Sequence, residues 1–419
     1  MTTLIVGGGL LGLTTAVALL QRGESVQVIE ALDGVALESS FANGGLMTAS
    51  MSEPWNGPGV YRHLAASLLN PHSPMKLRLH ALPSLLSWGT EFLRYSAPRH
   101  FFAACHDNYQ LARYSQEKTL ELTKARSLQF ELAGGGTLSV FRRGSDISAP
   151  LAVATRLREL GMSFLKLSVD ETIEREPALA PIRDRLAAGI WYPDDVRGDA
   201  HLFCRELERL IAADGGVVHT GVTVSKLIVS NGTVTGVDTS RGVMESERVV
   251  IAAGARSPAL LGTAGQTISV KPAKGYSVTI DASDISGIPR IPVMDDALHA
   301  AVTPLGCRLR LVGTAEFAGF DKSIVQSRID NLFDLLESVL PEVAEQVDRD
   351  KAEPWAGLRP MSSDGRPFIG PANVSGLFIN TGHGPLGWTM AMGSGHLLAD
   401  QILGQSPAID MRPYLPDRR

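Results

Sequence analysis

The sequence predicts an α/β fold in which helices pack on a parallel β-sheet. Three stretches of the 419 residues support this prediction. Thr3–Glu30 contains an apolar strand, a glycine-rich loop, a helical segment and a second strand. Glu247–Ser257 contains a strand that runs into small residues, and Leu377–Leu403 contains a strand, a glycine-rich loop and an apolar helix. Alternation of short strands with helices is typical of a parallel sheet covered by helices.

The N-terminal loop has the spacing of a dinucleotide-binding motif. Gly7, Gly9 and Gly12 form Gly-x-Gly-x-x-Gly between the first strand and the first helix. The first glycine permits a tight turn, the second lets backbone approach a pyrophosphate, and the third lets the helix pack on the strand. The helix begins at Leu10, and the free N–H groups of its first turn, including those of Leu10 and Leu11, can bind phosphate. We therefore predict a Rossmann-type unit.

Glu30, followed by Ala31, ends the second strand of this unit. A carboxylate at this place can accept hydrogen bonds from the ribose hydroxyls of an adenosine, and it disfavours a 2′-phosphate. The loop therefore predicts an adenine dinucleotide other than NADP. It does not choose between FAD and NAD, because both contain ADP.

Three other segments favour FAD. Leu37–Gly45 is a polar loop for the second phosphate and the flavin, unless it is an ordinary surface loop. The strand pair in Asp214–Leu227 predicts a backbone contact to adenine, and the strand in Glu247–Ser257 brings small residues to the sheet edge, unless both only fill the sheet. The predicted contacts are Ser39, Ser40, Asn43, Gly44, Gly45, Val222, Ala253 and Gly254.

The C-terminal glycine loop completes the predicted cofactor site. The N–H groups of the helix after it are expected to face the N1–C2=O2 edge of an isoalloxazine ring, where reduced flavin is negative. NAD does not need a second helix N-terminus of this kind, so FAD is the predicted cofactor. For Trp388, packing in the core stays an alternative. The predicted contacts are Gly382, His383, Gly384, Leu386, Gly387, Trp388 and Thr389.

Composition excludes several other classes of protein. The net charge of −5 gives no basic footprint for nucleic acid. Cys105, Cys204 and Cys307 are too widely spaced for a metal knuckle or a redox pair, so we expect buried free thiols in a reducing compartment. No metal site is predicted, and no transmembrane helix or signal peptide is expected. The expected location is the cytoplasm.

Several motifs, spread in order along the whole chain, resemble the D-amino acid oxidase-like superfamily of FAD enzymes. Within it, the chain is most similar to the bacterial D-amino acid dehydrogenase branch. The motifs are VGGGLLG, LESSFANGG, EPWNGPGV, GDAHLFCREL, PAKGYS, GTAEFAGFD, WAGLRPMSSDGRPFIG and NTGHGPLGWTMAMGSG.

The resemblance implies two interleaved domains. A glutathione-reductase-like FAD-binding domain would comprise residues 1–60, 185–268 and 355–419. An antiparallel-sheet substrate domain of the α+β type would comprise residues 61–184 and 269–354. The strand-like stretches YSVTIDAS and RLRLVGTAEFAGF and a helical pattern over 324–340 agree with this division.

The resemblance also implies the reaction. A D-amino acid would be oxidised at its α-carbon by hydride transfer to flavin N5, and water would then release a 2-oxo acid and ammonia. Arg359 in WAGLRP would bind the substrate carboxylate, because an arginine fork pairs with a carboxylate in a fixed orientation. Anchoring a loop carbonyl is the alternative for Arg359.

Other side chains are candidates for the same pocket. Tyr276 would hydrogen-bond the carboxylate from the other side, or it is a half-buried core tyrosine. His383 would contact the flavin O2 edge or line the pocket, or it caps backbone in a turn. Ser394, inside the final helix, is interpreted as a small packing residue. Further pocket candidates are Trp55, Tyr61, His63 and His299.

Residues 54–105 differ in composition from the rest of the chain. They contain five basic residues and one acid, Glu91, interleaved with leucine and aromatic residues. This pattern suggests a peripheral contact with an anionic membrane, on the inner face of the plasma membrane, and the resemblance implies that a quinone accepts the electrons there. The alternative is an amphipathic helical excursion packed on the sheet, since prolines interrupt the segment.

Two other functions stay open. The first is an oxidase or dehydrogenase of the same fold for glycine, sarcosine or a cyclic imino acid such as D-proline or D-hydroxyproline. The second is a non-catalytic FAD-binding subunit of a complex. The sequence does not predict the side-chain preference, the oligomeric state or whether FAD is covalently attached.

Overall fold

The structure is a computed structural model that describes residues 2–61, 75–295, 298 and 300–418. The strands of this described part are β1 (Thr2–Val6), β2 (Ser25–Ile29), β3 (Leu46–Met47), β4 (Met75–Leu77), β5 (Thr137–Phe141), β6 (Leu165–Leu167), β7 (Ala188–Tyr192), β8 (Val196–Arg197), β9 (Val217–His219), β10 (Val224–Ser230), β11 (Thr233–Thr239), β12 (Gly242–Glu245), β13 (Val249–Ile251), β14 (Val270–Asp281), β15 (Val293–Asp295), β16 (Ala300–Leu305), β17 (Arg308–Phe317), β18 (Glu353–Ser362), β19 (Phe368–Pro371) and β20 (Leu377–Thr381).

The α-helices of the same residues are α1 (Leu10–Leu20), α2 (Leu82–Tyr95), α3 (Pro98–Arg126), α4 (Ser148–Leu157), α5 (Val169–Arg175), α6 (Ala200–Ala213), α7 (Ser257–Gly262), α8 (Gln326–Val339), α9 (Pro341–Ala344) and α10 (Gly387–Ile402). The predicted helices at the two ends of the chain and at 324–340 are confirmed to within a few residues.

A six-stranded sheet joins the three segments that predicted the fold. Its strand order is β19-β20-β13-β1-β2-β9. All neighbours are parallel except β19 and β20. The carboxyl ends of β1, β2, β13 and β20 therefore meet at one edge of the sheet, which is where ligands bind in open α/β sheets.

A mixed nine-stranded sheet forms the second layer. Its order is β18-β14-β17-β16-β15-β5-β7-β6, and β4 pairs with β17 outside this path. Pairing is antiparallel except between β15 and β5 and between β17 and β4. A separate three-stranded antiparallel sheet contains β10, β11 and β12.

The two faces of the nine-stranded sheet have different surroundings. Directly paired residues share a face, so Tyr276 with its partner Ala356 points to one face, and Ala273 with its partner Arg359 points to the other. The face of Tyr276, called the core face below, packs on α8 in an apolar cluster that includes Val278. The opposite face is called the cavity face.

The contacts of three elements differ from the predicted domain boundaries. β7 and β18 belong to the nine-stranded sheet, whereas the boundaries at 185 and 355 assign them to the FAD-binding part. α3, assigned to the substrate part, instead packs against α10. A strand or helix pattern indicates an element but not its distant partner, which explains the difference.

Two glycines let α10 approach its neighbours closely. A Cβ on Gly395 would lie 2.7 Å from the carbonyl of Thr14 in α1, and a Cβ on Gly393 would lie 2.8 Å from Ser115 Cβ in α3. The Thr14 hydroxyl also donates to the Ala391 carbonyl at 2.9 Å. The Gly-Ser-Gly stretch therefore fixes the crossing of three helices.

The aromatic face of α2 is packed on the nine-stranded sheet. Trp88 and Phe92 are buried against Ala273 and Met361, and Trp88 Nε1 donates to the Met361 carbonyl at 3.0 Å. This part of residues 54–105 agrees with the packed alternative. None of the described helices is long and apolar enough to cross a membrane.

The cysteines are free thiols in the described structure. Cys105 and Cys204 are buried as predicted, but Cys307 is exposed. Cys307 follows Gly306 in the turn between β16 and β17, where the chain reverses at the surface. The prediction for Cys307 is therefore wrong, because its position in a tight turn was not recognised.

Candidate active site

A cavity of about 1900 Å³ lies between the carboxyl edge of the six-stranded sheet and the cavity face of the nine-stranded sheet. It is lined by the first glycine loop at one end and by the loop before α10 at the other. Ligand pockets commonly have volumes of about 300–1,000 Å³. The cavity therefore has room for a dinucleotide together with a small substrate.

The first glycine loop has the geometry that its spacing predicts. Gly7 has φ 116°, and a Cβ there would lie 2.5 Å from the Ala252 carbonyl oxygen. A Cβ on Gly12 would lie 1.8 Å from the Gly7 carbonyl oxygen. Gly9, Leu10 and Leu11 line the cavity, while Gly12 lies behind it. Gly12 thus has the predicted packing role and not a direct contact.

Glu30 organises the end of the cavity near this loop. Its carboxylate accepts a hydrogen bond from the Gly8 N–H at 2.7 Å and one from the Leu32 N–H at 2.9 Å. Each carboxylate oxygen has a further lone pair. Glu30 and Ala31 line the cavity, so Glu30 can hold the loop and still accept from ribose hydroxyls.

The polar loop after Glu30 reaches the start of α1. The Ser40 hydroxyl accepts from the Leu10 N–H at 3.2 Å, and Asn43 Oδ1 accepts from the Gly45 N–H at 3.0 Å. Gly45 has φ 65°, and a Cβ there would lie 2.8 Å from a Leu305 methyl. Gly45 is therefore a packing residue outside the cavity lining, which corrects its predicted role. The lining includes Ser39, Ser40, Asn43 and Gly44.

The other predicted edge residues lie in the lining as well. These are Val222, Ala253 and Gly254. The Val222 N–H donates to the Glu30 carbonyl at 2.9 Å. Its own carbonyl is therefore the backbone group that remains for a base edge at this end of the cavity.

The N-terminus of α10 faces the opposite end of the cavity. No side chain caps this helix, and its first turn contains no acidic residue. The lining residues here are Gly384, Leu386, Gly387, Trp388 and Thr389. Gly382 is outside the lining, and a Cβ on it would lie 3.0 Å from the Phe368 ring. Its predicted contact is replaced by a packing role.

His383 lies in the lining, but its ring is held inside the protein. Its Nε2 lies 2.8 Å from the Ser394 hydroxyl, and its Nδ1 is shielded from solvent without a hydrogen-bond partner among the described residues. Burial, helped by the Arg418 charge, lowers the pKa of His383 to about 3. His383 is therefore neutral and ties the loop to α10 through Ser394, which has a bonding role beyond packing, while the flavin contact of His383 stays a prediction.

Trp388 both lines the cavity and packs in the core, so the two alternatives for this residue hold together. It lines the cavity, and its ring packs on Phe203 and Phe130 at centroid distances of 4.8 and 6.0 Å. In the first turn of α10, Thr389 accepts at its hydroxyl from the Thr48 N–H at 3.2 Å. The N-terminal turn of α10 is therefore fixed by side-chain packing.

These donor groups fit FAD. The glycine loop with Glu30 suits the ADP half, because the backbone of Gly7 and Gly9 is bare and the α1 N-terminus faces the cavity. The uncapped N-terminus of α10 suits the pyrimidine edge of a flavin. The small residues between the two ends leave the cavity continuous.

Arg359 is a partly buried cation, and no acidic partner is found for it among the described residues. It lies over Gly275, where a Cβ would be 2.5 Å from its guanidinium carbon. It donates from Nη1 to the Thr314 carbonyl at 3.3 Å, and its guanidinium lies 5.3 Å from the centre of the Trp55 ring. None of the ion pairs found among the described residues includes it. Burial lowers the pKa of Arg359 to about 10, so it remains cationic at neutral pH.

Tyr276 lies on the other face of the same sheet. Its hydroxyl donates to Glu316 Oε2 at 2.7 Å, and the ring is buried in the cluster under α8. Part of Tyr276 lines the cavity, but its hydroxyl already donates to Glu316, so the geometry favours the predicted core position over a hydrogen bond to a substrate carboxylate. Side chains alternate along β14, and Ala273 and not Tyr276 shares the face of Arg359.

The remaining pocket candidates have different positions. Trp55 lines the cavity near Arg359, whereas Tyr61 is exposed and outside the lining. His63 and His299 lie outside the described residues. Among the residues that are described, no group of His, Cys, Asp or Glu is arranged to hold a metal ion.

The sequence profile of the DAO family, described as FAD dependent oxidoreductase, matches residues 2–401. The chain therefore belongs to this family, and it is an FAD-dependent oxidoreductase. The predicted family, fold class and cofactor are confirmed.

Curated relatives extend over nearly the whole chain. A D-amino acid dehydrogenase of Bradyrhizobium diazoefficiens is 35% identical over 418 residues, which is 100% of this chain and 99% of the relative. A D-amino acid dehydrogenase of Methylobacterium nodulans is 37% identical over 410 residues, covering 98% and 97%.

Solved structures show the same fold at low sequence identity. Glycine oxidase from Geobacillus kaustophilus has a TM-score of 0.79 at 22% identity, covering 100% of this chain and 98% of that one. L-proline dehydrogenase from P. horikoshii has a TM-score of 0.78 at 18% identity, covering 100% and 97%. At these identities the similarity supports the fold alone.

Proposed function

We propose that this protein is a D-amino acid dehydrogenase. It oxidises the α-carbon of a D-amino acid, and water releases a 2-oxo acid and ammonia from the imino product. The relatives named D-amino acid dehydrogenase support the substrate class, because they align with the chain from end to end. The structural observation that carries the proposal is Arg359, which lines the cavity and forms no ion pair with any residue that the structure describes.

Arg359 binds the substrate carboxylate. A buried cation without a counter-ion is unfavourable, and an anionic ligand that pairs with it removes the penalty. The guanidinium has five N–H donors, and the described contacts include one hydrogen bond, from Nη1 to Thr314. The other donors are therefore available for a carboxylate.

FAD, when bound, accepts the hydride from the substrate α-carbon. The chain supplies the two helix N-termini that hold the cofactor and the cation that orients the substrate. The cavity face beside Arg359 is formed by Gly275, Gly357 and Val312. The substrate reacts as the neutral amine, so the reaction needs no strong base from the protein.

The substrate proposal is tested by anaerobic titration of the purified flavoprotein with matched D- and L-amino acids, D-proline and glycine. We expect D-amino acids to bleach the flavin absorbance bands and to yield ammonia and the 2-oxo acid, while their L-enantiomers do not. Bleaching by L-amino acids or by glycine alone would overturn the proposal.

We also propose that the electrons pass to a quinone and not to oxygen. In support, α2 leaves Leu86 and Leu93 exposed at 70% and 44% beside the exposed Arg94. Apolar side chains next to cations suit an anionic membrane surface. This would locate the cytoplasmic protein at the inner face of the plasma membrane.

The acceptor proposal is tested by comparing turnover with a soluble ubiquinone analogue and with oxygen, and by sedimentation with phosphatidylglycerol vesicles. The double variant Leu86→Glu and Leu93→Glu should lose vesicle binding. Leu165→Glu, which changes a leucine that is 51% exposed on β6, is the matched control. Equal loss in the control, or faster turnover with oxygen, would contradict the proposal.

A further inference from the structure

β17 contains an irregularity directly beside Arg359. Gly275 pairs with Ala315 and Tyr276 pairs with Gly313, so Thr314 is an extra residue in a β-bulge. Thr314 has φ 56°. A β-branched residue rarely adopts this left-handed conformation. Bulges and strained residues are frequent next to active sites, where they re-aim a group.

In this strained conformation, the Thr314 backbone contacts Arg359 and the Thr314 side chain lines the cavity. Its carbonyl accepts from Arg359 Nη1 at 3.3 Å, so the bulge holds one edge of the guanidinium. Its side chain lines the cavity and is 9% exposed. The hydroxyl has no hydrogen-bond partner in the part of the chain that the structure describes. Several buried hydroxyls of the described residues lack a partner, but among them only that of Thr314 belongs to a residue of the cavity lining, where a ligand can satisfy it.

We propose that the Thr314 hydroxyl donates a hydrogen bond to the same substrate carboxylate that Arg359 binds. The carboxylate is the appropriate ligand group because the Thr314 carbonyl already contacts Arg359, which places the residue beside the carboxylate site. A hydroxyl donor and a planar cation then hold the carboxylate from two directions. This inference rests on the proposed function and adds a second binding residue to it.

Thr314 is also a positioning residue for Arg359. The carbonyl that holds Arg359 belongs to the backbone, so it persists in any variant that keeps the left-handed conformation. Glycine adopts this conformation without strain. A glycine variant therefore separates the backbone contact from the hydroxyl.

The test compares Thr314→Val, Thr314→Ser and Thr314→Gly in the FAD-loaded protein. Equilibrium binding of pyruvate, a carboxylate without an amine, is measured by calorimetry and by the shift in flavin absorbance. Loss of a hydrogen bond to a charged group should weaken pyruvate binding by roughly 10- to 100-fold in Thr314→Val and Thr314→Gly. Thr314→Ser should restore most of the affinity.

Ethylamine, an amine without a carboxylate, is the control ligand, and Arg359→Ala is the control variant. If Thr314→Val binds pyruvate as the wild type does while Arg359→Ala does not, the Thr314 inference is overturned and the proposed function stands. If Arg359→Ala also binds pyruvate normally, the proposed function itself fails. Weaker binding of ethylamine alone would also overturn the inference. Flavin content and Tm identify any variant that fails to fold, and Thr314→Gly then provides the comparison.

Discussion

The two faces of the nine-stranded sheet differ in how the protein treats a charge that is withdrawn from bulk water. On the core face, Glu316 is contacted by the Tyr276 hydroxyl at 2.7 Å, by Lys274 Nζ at 3.2 Å and by Arg78. Burial opposes its ionisation, but the hydrogen bond from Tyr276 and the charge of Lys274 hold the pKa of Glu316 below its usual range. On the cavity face, Arg359 has no such counter-charge within the described part of the chain.

The difference shows how one sheet can serve stability and binding at once. A buried charge that is paired within the protein is satisfied without a ligand. A buried charge left unpaired at a cavity remains available to a ligand of opposite charge, and perturbed charges in clefts mark functional sites. The predictions below test this distinction.

The largest effect is expected at Glu316. Glu316→Gln should lower the free energy of unfolding by about 3–5 kcal/mol, because Lys274 remains buried without its main counter-charge. The measurement is urea unfolding of the flavoprotein. The control is Asp321→Asn, because Asp321 contacts the same ammonium but is 47% exposed, and it should change stability by less than about 1 kcal/mol. Equal losses of stability in the two variants would show that Glu316 is not the main counter-charge of the buried Lys274.

A second effect concerns Asp195, a buried carboxyl whose hydrogen-bond partners among the described residues are neutral groups. It accepts from Ser50 and Thr137, and burial outweighs these hydrogen bonds and raises the pKa of Asp195 to about 6. The native state then binds more protons than the unfolded state between pH ~4 and pH ~6, so the free energy of unfolding should fall by up to roughly 3 kcal/mol as pH rises through this window.

Asp195→Asn is the variant that isolates this effect. Its stability should lack the decline between pH ~4 and pH ~6 that the wild type shows. If the free energy of unfolding of the wild type and of Asp195→Asn changed with pH in the same way, Asp195 would not be the source of the decline.

The third effect is at Arg359. Arg359→Ala should weaken substrate capture by about 1.5–3 kcal/mol, which is about 10- to 150-fold in KM. FAD should stay bound, since Arg359 is not among the residues predicted to contact the cofactor. Unlike Glu316→Gln, the variant should lose little stability, because no charge is left unpaired. A large loss of stability with normal KM would reverse the assignment of the two faces.

The smallest effect is expected at Tyr276. Tyr276→Phe removes a hydrogen bond to Glu316 and should cost about 1.5 kcal/mol of stability. KM for the amino acid should not change, because the ring lies on the core face. Thermal unfolding and steady-state kinetics on the same preparation test both statements, and a raised KM with normal Tm would return Tyr276 to the substrate site.

The sequence predicted the local units well. The glycine spacing, Glu30 and the final helix define the cofactor site, because turn geometry and helix N-termini depend on residues close together in the chain. It did not predict which face of β14 each side chain occupies. That depends on strand register, and one residue of register reverses the face.

Two further residues could not be identified from the sequence. Ser394 lies eleven positions after its partner His383, and no local pattern links them. Thr314 follows Gly313, and a left-handed conformation would have been expected at the glycine and not at a β-branched neighbour. Both roles follow from tertiary contacts.

The most direct test of the central claim is a crystal structure of the FAD-loaded protein with pyruvate. The account predicts that the carboxylate lies on the cavity face within hydrogen-bonding distance of the Arg359 guanidinium, while Tyr276 still contacts Glu316. A carboxylate bound elsewhere, with Arg359 paired to an acidic side chain of the protein, would contradict the account.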